Sequence, residues 1–384
     1  MNRITDWCHT FSSNKEAQAY GPEKVYRCHT PNRPHSIFCI VPPHILRAIG
    51  KNGTPAQRTK AMDTLGTDHT FRSLRATVHL GVPTVRWRQA APATAGQKQR
   101  TIYDAHSSQN LPGDVVRGEG GALSGDSAVD EAYDGLGATY DFYWNAYERN
   151  SIDDQGLPLN ATVHFDQSYD NAFWNGEQMV FGDGDGDLFN RFTIALDVIG
   201  HELTHGVTEH EAQLAYMGQS GALNESMSDV FGSLVKQRAL NQTADQADWL
   251  IGAGLFTSKV QGVALRSMKA PGTAYNDQTL GKDPQPEHMK DYVQTMQDNG
   301  GVHINSGIPN HAFYLIATQL GGHAWEKAGR IWYETLRDPR LRPNSSFRRF
   351  AGLTVSVSGR LFGLEGTEQK AVRDGWSRVG VQTR

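Results

Sequence analysis

Two histidines four residues apart, His201 and His205, flank Glu202 in a segment whose apolar residues have helical spacing. On a helix, positions i and i+4 share one face, so both imidazoles can bind one metal ion. The carboxylate between them then lies close to a metal-bound water and can take its proton. The pentapeptide alone leaves two alternatives, a metal-assisted hydrolytic site and an ordinary helix face.

A second acidic segment favours the metal site. Glu225 lies 20 positions after His205, so a turn and an antiparallel helix could return its carboxylate to the histidines. Two nitrogens, one oxygen and an open position for water form the ligand set of a catalytic zinc site. Asp229, one helical turn later, could accept the other N–H of a ligand histidine. The alternative, a solvated helix face, is disfavoured by the small and apolar neighbours.

Further segments carry a resemblance to a known family. Asn-Ala-Phe-Trp-Asn-Gly at 171–176 and Asp-Asn-Gly-Gly-Val-His at 298–303, with the two helices above, resemble the thermolysin-like metallopeptidases from about residue 101 to residue 379. The resemblance implies an α+β fold with a β-rich N-terminal half and a mainly α-helical C-terminal half. The zinc cleft would lie between the halves. It also implies a neutral zinc endopeptidase with one catalytic Zn²⁺, acting on protein or peptide substrates, and we expect a monomer.

The resemblance gives roles to three residues around the reacting carbonyl. His303 would donate to the oxyanion, Asp298 would orient the His303 ring, and Tyr216 would be the phenolic partner on the same side. Without the resemblance, His303 could be a loop residue and Tyr216 a core aromatic.

The resemblance also predicts how substrate is held. Asn171 and Ala172 would bind its main chain, and Arg266 would bind a carbonyl, although Arg266 taken alone could be a surface charge. The pocket for the residue after the scissile bond would be apolar, formed by Phe189, Phe192, Val198, Ile251, Leu255 and Leu265. We therefore predict cleavage before bulky hydrophobic residues.

Calcium, which the family uses, is doubtful here. Asp197 and Asp248 match the double calcium site. Residues without a carboxylate stand at other expected ligand positions of that site, namely Lys236, Leu250 and Ala253, and Val263 replaces an acidic ligand of another calcium site. The Gly-Asp run at 182–187 lacks the sixth-position glycine and terminal glutamate of an EF-hand loop, so a hairpin turn is the better interpretation.

The N-terminal residues are basic and the remainder is acidic. Residues 1–100 carry 15 Lys and Arg against 5 Asp and Glu, whereas the remainder carries 22 against 36. Three interpretations are a basic tail, a nucleic-acid-binding arm, and a segment that docks on its own acidic domain. We favour the third, because the basic residues are scattered, and expect no nucleic-acid partner.

Pro42, Pro43 and Leu46 form a PPxxL-type element similar to the short pro-region of the protealysin-like branch. The resemblance implies a zymogen whose pro-region lies across the cleft in cis, with His44 or Cys39 as candidates to approach the zinc. A plain linker is the alternative. We expect a poorly ordered extension at 1–35 and a pro-region with linker at 36–99. The catalytic halves would then span 100–215 and 216–384.

Location and activity each retain an alternative. Three cysteines, Cys8, Cys28 and Cys39, do not make a disulfide framework, and no apolar run is long enough to span a bilayer. Most of the family is secreted, but no Sec-type signal is visible, so a non-Sec route or cytoplasmic retention stays open. A metal-binding pseudoenzyme with a permanently occupied cleft is the alternative to an active enzyme.

Overall fold

The computed structural model describes residues 38–78 and 92–383. The expected extension at 1–35 and part of the expected linker lie outside the described residues. Ten α-helices occur in the described part: α1 Pro43–Asn52, α2 Pro55–Val78, α3 Ser127–Tyr147, α4 Leu196–His210, α5 Gly218–Ala239, α6 Asp298–Asn305, α7 Gly307–Leu320, α8 Ala328–Leu336, α9 Phe347–Phe362 and α10 Thr367–Arg378. None of these described helices is long and apolar enough to cross a membrane.

Strands in the first half build one six-stranded sheet in the order β1-β5-β6-β4-β2-β3. These strands are β1 Phe38–Cys39, β2 Arg100–Asp104, β3 Asp114–Gly118, β4 Leu159–Val163, β5 Ala172–Trp174 and β6 Met179–Phe181. The pairs β2–β4 and β4–β6 are parallel, and the other pairs are antiparallel. Two short hairpins follow in the second half: β7 Leu250–Ile251 with β8 Arg266–Ser267, and β9 Asn276–Asp277 with β10 Gly281–Lys282. The predicted α+β architecture is confirmed.

Helix α2 is capped at its start and continues through a glycine. Thr54 Oγ1 accepts from the Gln57 amide at 3.3 Å, and Gln57 Oε1 accepts from the Thr54 amide at 2.8 Å. The helix passes Gly66 and ends at Val78. Buried contacts beyond Gly66, such as those of Asp68, outweigh the low helix propensity of glycine.

Helices α4 and α5 cross at a very short distance, and this crossing positions the site. A Cβ on Gly232 of α5 would lie 2.3 Å from the Asp197 carbonyl oxygen and 3.0 Å from the His201 amide nitrogen of α4. Only glycine fits there, because the missing side chain lets the two backbones approach. The close crossing brings residues of α5 next to His201.

The helical half is held by packed aromatic rings. Trp332 and Trp376 stack with ring centroids 5.9 Å apart, and Phe313 meets Trp332 edge to face at 5.0 Å. Tyr147 of α3 stacks on Tyr333 of α8 at 4.4 Å, which joins the two halves. Large buried rings of this kind fix the helices around α5.

Candidate active site

Helix α4 carries His201 and His205, and the neighbouring helix α5 carries Glu225. The two Nε2 atoms lie 3.0 Å apart. Each carboxylate oxygen of Glu225 lies 3.6 Å from one of these nitrogens. One ligand atom from each residue falls within 4.8 Å of the others, and all three side chains are buried. The predicted ligands therefore meet at one point.

The other ring nitrogens show that this group fits a metal ion. His201 Nδ1 lies 2.8 Å from the Asp229 carboxylate, and His205 Nδ1 lies 2.8 Å from the side-chain oxygen Oδ1 of Asn224. Both Nδ1 atoms donate to these acceptors, so the Nε2 lone pairs face each other. Oxygen Oε2 of Glu225 is buried and has no hydrogen-bond partner among the described residues. A cation at this point would satisfy all three groups.

Asp229 connects the ligand histidine to Arg266. Its carboxylate accepts from Arg266 Nε at 2.9 Å and Nη2 at 2.8 Å, and from Asn310 Nδ2 at 2.8 Å. Burial raises the pKa of Asp229, but Arg266 and then His201 outweigh burial and hold that pKa well below its usual range. The carboxylate is therefore ionised and stays an acceptor for His201.

Glu202 is completely buried beside the ligands. The Trp174 amide donates to Glu202 Oε2 at 3.0 Å, whereas Oε1 has no hydrogen-bond partner among the described residues. Burial, and then the nearby Glu225 carboxylate, raise the pKa of Glu202 well above its usual value. A carboxylate held at one oxygen and open at the other, with a raised pKa, is suited to taking and returning a proton.

Tyr216 and His303 approach the ligand group at Glu225. The Tyr216 hydroxyl donates to Glu225 and lies 3.1 Å from His303 Nε2. On the other side of the ring, His303 Nδ1 lies 2.7 Å from the Asp298 carboxylate. Burial lowers the pKa of His303, but Asp298 and then Glu225 outweigh burial, and the net pKa is raised. A protonated His303 can donate from Nε2 to a negatively charged oxygen.

A left-handed turn places the His303 ring. Asn299, Gly300 and Gly301 have φ values of 51°, 84° and 74°. A Cβ on Gly300 would lie 3.0 Å from the Gly218 amide nitrogen, so the turn needs glycine both for φ and for space. The turn carries the chain from Asp298 to His303, so the Asp298 carboxylate can accept a hydrogen bond from the His303 ring.

The predicted substrate-binding residues bind a segment of the chain itself. Strand β1 pairs antiparallel with β5, and the next amide, that of Ile40, donates to the Ala172 carbonyl at 3.1 Å. The Val41 amide donates to Asn171 Oδ1 at 2.9 Å. Arg266 Nη1 donates to the Ile40 carbonyl at 3.0 Å. The side chains of Asn171 and Arg266 and the carbonyl group of Ala172 therefore bind the main chain of residues 40 and 41 in this structure.

The six residues predicted to form the apolar pocket are all buried. Each is at most 1% exposed, and Phe189 stacks on Phe192 with ring centroids 5.9 Å apart. Ile40 belongs to the same hydrophobic core and is 0% exposed. The apolar side chain of Ile40, directly after β1, is therefore buried in the same core as the pocket residues.

Neither His44 nor Cys39 offers its side chain to the metal group. The Cys39 side chain packs in an apolar cluster that includes Phe173, but its carbonyl oxygen lies 3.2 Å from His303 Nε2. His44 Nε2 lies 3.1 Å from the Tyr275 hydroxyl, and burial lowers the pKa of His44 to about 4. The approach of the N-terminal segment is through its backbone.

Models of known families match nearly the whole described chain. The thermolysin metallopeptidase catalytic domain matches residues 63–209, and the thermolysin metallopeptidase alpha-helical domain matches residues 212–381. The chain belongs to the thermolysin-like metallopeptidases. It is accordingly a metalloendopeptidase, and its histidine–glutamate group could hold the metal ion.

Similar proteins lie within the same family. An "Extracellular metalloprotease" of Pectobacterium carotovorum subsp. carotovorum is 57% identical over 348 residues, which cover 91% of this chain and 97% of that protein. "Protease PrtS" of a Photorhabdus species is 49% identical and covers 90% of this chain and 92% of its own length. The solved structure of a precursor of protealysin, a metalloproteinase from Serratia proteamaculans, matches with a TM-score of 0.81 and 56% identity. This match covers 90% of this chain and 99% of that chain. The protealysin-like branch is confirmed.

In this thermolysin-like metallopeptidase, an ammonium group lies at the doubtful calcium position. Lys236 Nζ lies 2.7 Å from Asp197 Oδ2 and 3.0 Å from Asp248 Oδ1, and it donates to the Leu250 carbonyl at 2.8 Å. Burial lowers the pKa of Lys236, but Asp197 and then Asp248 outweigh burial, so the net pKa is raised and the amine stays charged. The three oxygens already surround one positive charge.

Three polar residues that contact the site were not predicted from the sequence. Asn224 directs the His205 ring, Asn310 donates to Asp229, and Asp68 of α2 accepts from Asn171 Nδ2 at 3.0 Å. Asn224 directly precedes Glu225, and its adjacency to a ligand was the one available signal. Asn310 and Asp68 are distant in sequence from their partners, so no local spacing marks them.

Proposed function

We propose that this chain is a neutral endopeptidase whose metal is zinc, held by His201, His205 and Glu225. The carrying observation is that these three side chains converge beside Glu202, whose buried Oε1 has no partner among the described residues. Two imidazoles and one carboxylate are a typical catalytic zinc set. When bound, zinc would supply a water of lowered pKa and would polarise the substrate carbonyl.

Glu202 is the general base in this proposal. The amide of Trp174 fixes one carboxylate oxygen at 3.0 Å and leaves the other for the attacking water. Glu202 takes a proton from that water and delivers it to the leaving nitrogen. Asp229 and Asn224 act through the ligand histidines, because each accepts a hydrogen bond from an Nδ1.

Tyr216 and His303 stabilise the negative charge that develops on the carbonyl oxygen. The 3.1 Å between the Tyr216 hydroxyl and His303 Nε2 lets both groups face one oxygen. Asp298 keeps the His303 ring oriented and favours its protonated form. Donors fixed before the reaction begins stabilise the transition state more than the substrate.

Substrate would bind as an extra strand along β5. Asn171 and Ala172 would hold its amide groups, and Arg266 would hold a carbonyl, as they hold Ile40 and Val41 in this structure. The buried apolar residues around Phe189 and Leu265 would receive the side chain after the scissile bond. Main-chain binding with one apolar pocket supports cleavage before bulky hydrophobic residues in many sequences.

The N-terminal segment makes the chain a zymogen in this proposal. Residues 36–99 would be the pro-region with its linker, and the catalytic halves would span 100–215 and 216–384. Pro42, Pro43 and Leu46 support this division, because Pro43 opens α1 and Leu46 is 0% exposed. We further propose secretion, since similar proteins are named extracellular proteases, and a monomeric enzyme that needs no calcium.

Zinc-loaded wild type and Glu202→Gln, with zinc content measured in each, test this function. We expect equal zinc in both, with hydrolysis of a peptide carrying Leu after the scissile bond lost in the variant. A peptide with Asp at that position should be cut poorly. The alternative pseudoenzyme predicts zinc-bound wild type that hydrolyses nothing even after residues 1–99 are removed, and that result would reject an active enzyme.

A further inference from the structure

The peptide bond between Cys39 and Ile40 is hydrogen-bonded by residues of the site on both of its sides. The Cys39 carbonyl oxygen is 3.2 Å from His303 Nε2. The amide nitrogen of the same bond belongs to Ile40, and it donates to the Ala172 carbonyl at 3.1 Å. The next carbonyl, that of Ile40, accepts from Arg266 at 3.0 Å. Both sides of one peptide bond are thus held by groups of the site.

These contacts follow the order in which the proposed function arranges a substrate. The oxyanion donor faces the carbonyl before the bond, and the carbonyl clamp faces the residue after it. The Val41 amide continues the series with its 2.9 Å contact to Asn171. The strand also runs antiparallel to β5, with Cys39 opposite Phe173. Direction and register therefore agree with one scissile position.

The side chain after this bond suits the pocket proposed to receive it. Ile40 is bulky and apolar, is 0% exposed, and lies in one hydrophobic core with Phe192 and Leu265. Burying an isoleucine is more favourable than leaving it exposed to water, so the pocket favours this side chain. The segment therefore meets both conditions for a substrate, hydrogen bonds to its main chain and an apolar side chain in the pocket.

We infer that Cys39–Ile40 is a cleavage site that the chain cuts in cis. This inference rests on the proposed function. Water adds to the Cys39 carbonyl carbon, and Glu202 carries a water proton to the Ile40 nitrogen as the C–N bond breaks. The products are a Cys39 carboxylate and an Ile40 amine, and no other reactant is consumed.

This cut does not release the inhibition. Downstream of Ile40, the buried residues Ile45 and Leu46 of α1 and the hydrogen-bonded Asp68 of α2 still fix the segment on the enzyme. The new N-terminal residue would stay in the apolar pocket because its neighbours hold it there. Activation then needs a second cut after α2, and the two events should separate in time.

The test follows the N-terminus of the full-length chain after zinc is added. Mass spectrometry and N-terminal sequencing should find a new chain beginning at Ile40 before peptide hydrolysis rises. The rate should not change on tenfold dilution, because the bond and the base belong to one molecule. Ile40→Leu should keep the cut, whereas Ile40→Asp and Glu202→Gln should lose it.

Two further measurements keep the inference open to rejection. Mixing zinc-loaded wild type with full-length Glu202→Gln should leave the variant intact at this bond, and early cutting there would show a reaction in trans. In the variant alone, the Ile40 and Val41 amides should exchange hydrogen slowly, and fast exchange would reject the pose. An intact Cys39–Ile40 bond in a preparation that hydrolyses peptides rejects this inference alone. A preparation that hydrolyses nothing rejects the proposed function.

Discussion

Asp68 of α2 accepts a hydrogen bond from the Nδ2 of Asn171 at 3.0 Å, and Asn171 is the residue that also binds Val41. The same carboxylate accepts from the Tyr169 hydroxyl. One buried side chain of the N-terminal segment therefore fixes the group that binds main chain in the cleft. Docking of α2 and occupation of the cleft are coupled through this pair.

Asp68→Ala should weaken inhibition in the uncut chain. Hydrogen bonds to a charged group contribute about 1.5–3 kcal/mol, which corresponds to about 10- to 100-fold in cleft occupancy. Initial hydrolysis of a quenched peptide should rise while gels still show the full-length chain. The control is Asp63→Ala, because Asp63 is an exposed aspartate on the same helix. Equal activity of the two variants would contradict the coupling.

Asn224→Ala should reduce zinc affinity about 10- to 100-fold, as expected when the partner of a ligand histidine is removed. Without the 2.8 Å contact to Asn224, the His205 ring is no longer held in the ligand orientation. Competition with a coloured chelator measures the affinity directly. Asn145→Ala, at an exposed position of α3, is the matched control and should bind zinc like the wild type.

Lys236→Ala should destabilise the fold by about 3–5 kcal/mol, because it leaves the buried Asp197 carboxylate without its cation. Urea unfolding measures the loss. Lys259→Ala breaks an exposed pair with Asp187, which solvent screens, and should change the free energy of unfolding far less. Added calcium should leave the Tm of the wild type unchanged, and a calcium-dependent rise would show that a metal displaces the ammonium group.

Asp170→Asn should stabilise the chain at neutral pH. Burial, and then Asp185, raise the pKa of Asp170 from 3.8 to about 8. Between these values the unfolded chain releases the proton and the folded chain keeps it, so stability falls as pH rises through this window. The variant has no carboxyl group to titrate there, so the difference in free energy of unfolding between variant and wild type should grow from about pH 4 to about pH 8. Unfolding free energies across pH measure it, with exposed Asp134→Asn as an unchanged control.

Sequence spacing predicted the parts of the site that lie on one element or follow a family motif. His201 and His205 share a helix face, so their meeting was predictable from periodicity. The role of Asp68 was not, because it depends on where α2 ends and on which face meets Asn171. The same contacts explain why α2 passes Gly66, since docking overrides local propensity.

The identity of the blocking group was also beyond reach of the sequence. Histidine and cysteine side chains can ligate a metal ion, so the sequence indicates His44 and Cys39 as the residues that would approach the zinc. The structure uses the Cys39 carbonyl instead, which every residue possesses. A backbone contact cannot be predicted from residue types. The register of β1 on β5 alone decides which carbonyl lies next to His303.

Strand β1 has a further consequence for how the chain behaves before it matures. A sheet edge with unpaired amide and carbonyl groups can join the strand of another molecule and start aggregation. Strand β1 covers the edge of β5 but is only two residues long. Ile40 and Val41 follow it, and then Pro42 and Pro43, which have no amide hydrogen to donate. The segment that fills the cleft therefore also shortens this edge of the sheet and opposes its extension by another chain.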